Sequence, residues 1–452
     1  MKKIFVFISV LMAIGQLISC SSGDEFTAEE VVLSPSDENQ SEEQQNNQPD
    51  DTQGEGGDNE IVIPVFKGVI DLTDAQKIAV GKNNEFAFNF FRAISQSKDL
   101  KGKSSVVSPI SLTYVLGMLN AGATGQTSQE ITSLLGFSGE DAQSINELCR
   151  QLIDEAPKVD ESVQLGLANC VAIDNSVSLE SQYLKDMDDY YKAKVASVNF
   201  GTQEAVDFVN GWSNEHTEGV IPEIVKSLDG VMALMNAVYI NAPWKERFFN
   251  QNTRNEKFTA ESGKEQTLPM MHGTMNYCGA YSETSDFEAA RLPYGMGTGD
   301  NGWSMYVLLP KKGKTVDGVL SSLTCDVWAD VVKGMVFSPM KVTLPHFKTE
   351  VDMDLKEVLS AMGVPSIFLP KMELTGISTN YKDLTVSQVK QKVAIEVKEE
   401  GTEASAVTMM GLAGSNGREP KYVDFVCDHP FVYLIQEASS GAVFFIGTYR
   451  GE

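Results

Sequence analysis

The sequence predicts an α+β fold built as one large domain. Three observations carry this prediction. Helical periodicity dominates the first half of the ordered region, strand patterns dominate the second, and no linker interrupts the chain after an acidic stretch ends near Ile61. Helices gathered early and strands gathered late argue against a regular β-α-β alternation.

The elements follow in order. Ala87, Phe90, Phe91 and Ile94 recur at i, i+3, i+4 and i+7 and predict a helix with one apolar face. Ser108 is an N-cap with Pro109 at the first helical position. Leu112, Val115, Leu116 and Leu119 continue that helix towards Gly122. Ala205, Phe208, Val209 and Trp212 predict a further amphipathic helix, closed near Gly219. Residues 231–240 are apolar on both faces, and Val238, Tyr239 and Ile240 favour extended backbone. This is the pattern of a central strand covered on both sides. Residues 303–309, 341–344, 393–397 and 443–446 also read as strands.

Charge and termini narrow the function classes. Half of the net charge of −26 sits in residues 21–60, which hold thirteen Asp or Glu and no Lys or Arg. An acidic chain lacks the cations that displace counterions from nucleic acid. The stretch buries too little apolar surface to fold and reads as a flexible tether. Before it, Lys2 and Lys3 precede an apolar run from Ile4 to Ile18 that is too short to span a bilayer. The run ends Leu17-Ile18-Ser19-Cys20, which resembles a bacterial lipoprotein signal. That resemblance implies a signal peptide over 1–19, lipidation of Cys20, a tether over 20–65 and a folded domain over 66–452. Ser21 in place of an aspartate favours the outer membrane, with the domain facing the periplasm or the cell surface. Cys149, Cys170, Cys278, Cys325 and Cys427 are scattered and odd in number, and form neither a disulfide framework nor a zinc motif.

No motif for catalysis stands out. Gly297, Gly299 and Gly302 match GxGxxG, but a strand follows where a dinucleotide site needs a helix. Gly313-Lys314-Thr315 lacks the first glycine of a phosphate loop, and Leu308 stands there instead. There is no HExxH and no GxSxG. Asp352 and Asp354 read as a strand-to-helix connection without calcium-loop spacing. No enzyme activity, metal or cofactor is expected.

The stretch that remains lies near the C-terminus. Val393, Ile395 and Val397 alternate with Ala394, Glu396 and Lys398, a strand with one buried face. Glu399-Glu400-Gly401 reads as a tight turn that uses the conformational freedom of glycine. A second alternation then places Thr402, Ala404, Ala406 and Thr408 on one face, with Glu403 and Ser405 on the other. From Ala404 to Gly417 there is neither a charge nor a proline. An ordinary hairpin strand and a small-residue surface loop are both open on these residues alone.

The run from Val393 to Ala406 resembles the hinge of inhibitory serpins, and the likeness extends over nearly all of residues 70–452. Ser108-Pro109-Ile110-Ser111, Asn236-Ala237-Val238-Tyr239-Ile240 with Trp244, Leu292-Pro293-Tyr294, Leu344-Pro345-His346-Phe347 and Asp428-His429-Pro430-Phe431 resemble further family blocks in the family's order. The resemblance implies a single domain with about three β-sheets, eight to nine helices and an exposed reactive-centre loop. It implies an inhibitor of serine endopeptidases, and of cysteine endopeptidases too, that is cleaved in that loop, traps the protease covalently and inserts the loop as a new strand. The hinge is then Glu399, Gly401, Thr402, Glu403, Ala404, Ser405 and Ala406. Ser108, Ser111, Asn236, Gln391 and Trp244 form the cluster at which the sheet opens. Gln391 stands where the family commonly has a histidine, and His346 where Glu399 usually meets a lysine. Counting from Gly401 puts the scissile bond at Ser415-Asn416, and counting back from Pro430 puts it at Gly417-Arg418. Ser415 suits elastase-like or subtilisin-like enzymes, and Arg418 suits trypsin-like ones. The expected partners are that protease and, through the lipid, a membrane, with the chain itself a monomer. A non-inhibitory serpin acting as carrier or chaperone, and a surface-binding lipoprotein, are the competing readings.

Overall fold

The computed structural model describes residues 68–137, 142–297, 302–369, 373–380, 384, 386, 389–402 and 421–451. The residues expected to form a signal peptide, the lipidated Cys20 and the tether lie outside the described residues. All the described residues belong to one compact unit, Val62–Glu452. Among them are nine α-helices and three sheets, the α+β architecture that the sequence predicts.

Two early helices pack on the first sheet. Helix α1 (Asp74–Ser95) starts from a capping box in which Thr73 accepts from the Gln76 amide and Gln76 accepts from the Thr73 amide. Its apolar face buries Phe90, Phe91 and Ile94 completely. Helix α2 (Pro109–Asn120) is capped by Ser108, whose side chain accepts from the Ser111 amide. It is buried almost all round, with Val115 the half-buried exception in its middle. A helix apolar on every side belongs inside the protein. The two helices pack on a seven-stranded sheet in the order β1 (Ser105–Val107), β17 (Val443–Tyr449), β16 (Phe431–Glu437), β9 (Trp303–Pro310), β8 (Phe287–Pro293), β7 (Ala280–Glu283) and β10 (Val336–Phe337). β9 and β16 are buried at every position. β8 and β9 are antiparallel neighbours, so the GxGxxG stretch joins two strands and opens no helix.

A four-stranded sheet orders β15 (Val423–Val426), β11 (Met340–Pro345), β6 (Glu265–Met275) and β5 (Arg254–Thr259). The third sheet orders β12 (Phe347–Asp354), β13 (Lys390–Val397), β14 (Gly401–Thr402), β4 (Met232–Pro243), β2 (Gln164–Asp174) and β3 (Lys194–Val198). β4 is central and buried from both sides, as its composition predicts. Met232, Ile240 and Ala242 join the main core, and Met235 and Ala237 join a smaller cluster. That cluster includes Val209 and Trp212 of helix α6 (Gln203–His216), which lies over the sheet. Asp352 and Asp354 correct the sequence reading. They sit on the exposed face of strand β12 rather than in a connection.

All five cysteines in the described residues are free, and Cys149, Cys170 and Cys427 are buried. Burial pushes the Cys170 thiol up to about 12, so it behaves as a small apolar group. Among the described residues no helix is long and apolar enough to cross a membrane.

Phe90 is fully buried and stacks on Phe86 with ring centroids 5.7 Å apart. Phe90→Ala should cost about 3–5 kcal/mol and lower the urea midpoint. An unchanged midpoint would show that the helix face does not anchor the core.

Candidate functional site

The site is a seam in the third sheet, between β13 and β4. On the β13 side, Gln391, Val393, Ile395 and Val397 point into the core, and the strand pairs antiparallel with β12. After Val397 the chain reverses. The Lys398 amide donates to the Gly401 carbonyl at 2.8 Å, and the Gly401 amide donates back at 3.2 Å. This closes a two-residue turn over Glu399 and Glu400.

Gly401 is required at its position. Its φ is +151°, and a Cβ there would lie 2.1 Å from the Ala242 carbonyl oxygen. Without a side chain, the backbone lies directly against β4, and Gly401 pairs with Pro243 and Thr402 with Ala242. On its other edge Thr402 pairs with Val397. β14 is therefore bonded to strands on both sides, and it holds them apart. Among the described residues no pairing joins β13 to β4 directly.

Aromatic side chains fix the turn. Trp244 stacks on Tyr294 with centroids 4.4 Å apart. Its indole N–H donates to the Lys398 carbonyl at 2.8 Å, and its amide donates to the Glu400 carbonyl at 2.9 Å. The Phe248 amide donates to the Glu399 carbonyl at 3.1 Å. The Tyr294 and Thr402 hydroxyls meet at 2.6 Å, where Thr402 is 1% exposed. Burial pushes the Tyr294 phenol well above its ordinary range, so both hydroxyls stay neutral and bonded. Glu399 is nearly buried and accepts from the Thr253 hydroxyl at 2.6 Å. Its other oxygen lies 3.3 Å from His346 Nδ1, and His346 Nε2 lies 3.7 Å from Glu396. His346 thus stands between two carboxylates, and Lys398 meets the second of them at 3.0 Å.

Further down the seam the expected opening cluster divides. Gln391 Nε2 donates to the Ser108 carbonyl at 2.8 Å, and the Ser108 hydroxyl accepts from the Ser111 amide. Asn236 turns the other way and donates to Asn169 Oδ1 at 2.8 Å and to the Ala168 carbonyl at 3.2 Å. The side-chain oxygens of Gln391 and Asn236 are buried without partners among the described residues. Trp244 belongs to the top of the sheet, with the turn, rather than to this group. Glu403, Ala404, Ser405 and Ala406 lie outside the described residues, as do Ser415, Asn416, Gly417 and Arg418. Residues 403–420 link β14 in one sheet to the run before β15 in another. Thr253 and Asn169 are contacts that sequence reasoning missed, because neither sits in a motif. Their partners are 146 and 67 residues away.

A family model described as "Serpin (serine protease inhibitor)" matches residues 81–450. The chain belongs to the serpin family. It is 30% identical to neuroserpin of Mus musculus over 374 residues, which is 80% of this chain and 88% of that protein. It is 32% identical over 401 residues to a serpin-like protein of Thermococcus kodakarensis, which is 86% of this chain and 89% of that one. It is 30% identical to the leukocyte elastase inhibitor of Sus scrofa, covering 81% of this serpin and 97% of the inhibitor. The native-state structure of the thermophilic serpin tengpin superposes with a TM-score of 0.74 at 25% identity, covering 84% of this chain and 95% of tengpin. Human thyroxine-binding globulin shares the fold with a TM-score of 0.73 at 22% identity, covering 83% of this chain and 98% of that chain.

Gly401→Ala should expel β14 from the seam, since any Cβ there meets backbone of β4. Hydrogen exchange should show loss of protection at Thr402, and Trp244 emission should shift to the red. Retained protection at Thr402 would refute the required close approach.

Proposed function

We propose that this serpin inhibits serine-type endopeptidases by letting them cleave the segment after Thr402 and then inserting that segment into the third sheet. The protease serine attacks the carbonyl carbon of Ser415, the bond to Asn416 breaks, and the released amine takes the proton. The enzyme is left as an ester on Ser415. Residues 402–415 then lengthen β14 down the seam between β13 and β4. Fourteen extended residues span roughly 45 Å, enough to carry the ester-linked protease to the far end of the sheet.

The observation that carries this reading is β14 itself. Two residues past the turn already pair with strands on both sides, and β13 and β4 do not pair with each other. The side chain that enters the core face is a threonine, whose hydroxyl has a partner in Tyr294. The following residues of that parity, Ala404, Ala406 and Thr408, are small and uncharged. The side-chain oxygens of Gln391 and Asn236, on the two sides of the seam, have no partner among the described residues. Ser415 favours elastase-like or subtilisin-like targets. The lipoprotein-like signal favours an outer-membrane anchor through Cys20, which would hold the inhibitor at the cell surface or in the periplasm.

Incubation with elastase-, subtilisin- and trypsin-type proteases should give a complex stable to denaturing gels with at least one of the first two. Mass spectrometry of the released C-terminal fragment should find it beginning at Asn416. Thr402→Arg would place an unpaired cation in the core, at a cost of several kcal/mol. With tenfold for each 1.4 kcal/mol, complex formation should fall roughly a hundredfold while loop cleavage continues. Undiminished complex formation by Thr402→Arg would overturn the insertion mechanism.

A further inference from the structure

The glycine-rich stretch after β8 begins Tyr294-Gly295-Met296-Gly297, and its amides converge on a carboxylate of this chain. The carboxylate is Asp160, which is buried in the connection that leads into β2. Asp160 Oδ2 accepts from the Gly297 amide at 3.1 Å. Asp160 Oδ1 accepts from the Ser162 amide at 2.9 Å and from the Ser162 hydroxyl at 2.5 Å. The same hydroxyl accepts from the Met296 amide at 2.8 Å, so Ser162 relays a second amide of the stretch to Asp160. Gly295 has φ +81°, and a Cβ there would lie 2.2 Å from Asp160 Oδ2. Only glycine lets the backbone come this close to the carboxylate. Successive amides in such a turn form a concavity for an anion, and here Asp160 is that anion.

The stretch that Asp160 holds is continuous with Tyr294. The Gly295 amide donates to the Pro243 carbonyl at 2.8 Å, and the Lys245 amide donates to the Pro293 carbonyl at 2.9 Å. These bonds tie both flanks of Tyr294 to the end of β4. Its ring stacks on Trp244, and its hydroxyl meets that of Thr402 at 2.6 Å. A path therefore runs from Asp160 through Gly295 and Gly297 to Tyr294, and from there to the first residue of the seam.

We propose that Asp160 is a positioning residue for strand insertion, acting on Thr402 through Tyr294. It fixes the phenol that receives the Thr402 hydroxyl, and so sets the register from which β14 lengthens. A growing strand competes with water, which hydrolyses the ester on Ser415 to a free carboxyl group and releases active protease. A start held in register favours insertion in that competition. This inference rests on the inhibitory reading above.

Hydrogen exchange and inhibition stoichiometry test it, with Asp160→Asn, Ser162→Ala and Tyr294→Phe. Asn keeps the size of Asp160 but turns one acceptor oxygen into a donor, so Gly297 or Ser162 loses its partner. In Asp160→Asn the amides of Gly297 and Thr402 should exchange at least about tenfold faster, with those of Met305 to Leu308 in β9 unchanged. Against a protease that the unaltered chain traps, the inhibitor consumed per protease trapped should rise roughly fivefold, the factor for one lost hydrogen bond. The rate of loop cleavage should stay the same. Ser162→Ala removes only the Met296 link and should move both readings the same way by about twofold. Tyr294→Phe should raise the stoichiometry as Asp160→Asn does, and the double variant should add nothing. Faster exchange at Gly297 with unchanged exchange at Thr402 would overturn the proposal, since the carboxylate would then hold the stretch and nothing beyond it. Additive effects in the double variant would overturn it too. Should Asp160→Asn fail to fold, unchanged exchange at Thr402 in Ser162→Ala overturns it. An unaltered chain that traps no protease defeats the inhibitory reading, and exchange at Thr402 then decides whether Asp160 acts on the seam.

Discussion

Everything at the top of the third sheet depends on one close approach, Gly401 against the Ala242 carbonyl. Only a residue without a Cβ can lie there, and its φ lies where other residues are strained. The approach lets Thr402 pair with both Val397 and Ala242. It also brings the Thr402 hydroxyl to Tyr294, in an interior where an unpaired hydroxyl is costly. The turn before it is held at each carbonyl by a separate donor: Trp244 twice and Phe248 once. These residues come from the segment after β4, so the strand that borders the seam also carries the clamp above it.

The two ends of the seam have different chemistry. At the top, polar groups are matched: Glu399 with Thr253 and His346, and Thr402 with Tyr294. Lower down, Gln391 donates to the Ser108 carbonyl and Asn236 to Asn169 and Ala168, and among the described residues their side-chain oxygens have no partner. A buried acceptor without a donor costs about 1–3 kcal/mol. The top of the seam is thus fixed, while lower down two side-chain acceptors have no partner among the described residues. Packing on either face supports this division. Helix α2 backs β4 from the main core, and α6 covers it with Val209 and Trp212 from the other side.

Much of this was legible in the sequence. The faces of α1, α2 and α6 follow from periodicity and caps, and β4 follows from its two-sided apolar run. The turn at Glu399-Glu400-Gly401 follows from alternation on either side of a glycine. β16 and β2 were less legible. Phe431 to Ile435 are apolar without alternation, because both faces are covered, so the period-two signal is absent. β2 carries two signals in one strand, half-exposed over Gly166, Leu167 and Ala168 and buried from Asn169 to Ile173. The division of the opening cluster was not legible at all. Whether Asn236 bonds towards Gln391 or towards Asn169 depends on how far apart the strands stand, which no local pattern encodes. The same holds for Trp244, whose place at the turn rather than beside Ser108 is set by the length of β4.

On the proposed mechanism the third sheet lacks a strand that the segment after Thr402 supplies. Heat denaturation of the intact protein and of the protein nicked between residues 403 and 420 measures this directly. If the loop completes the sheet, the nicked protein should melt well above the intact one, because β14 then extends along the whole seam. Equal or lower melting after the nick would contradict strand insertion.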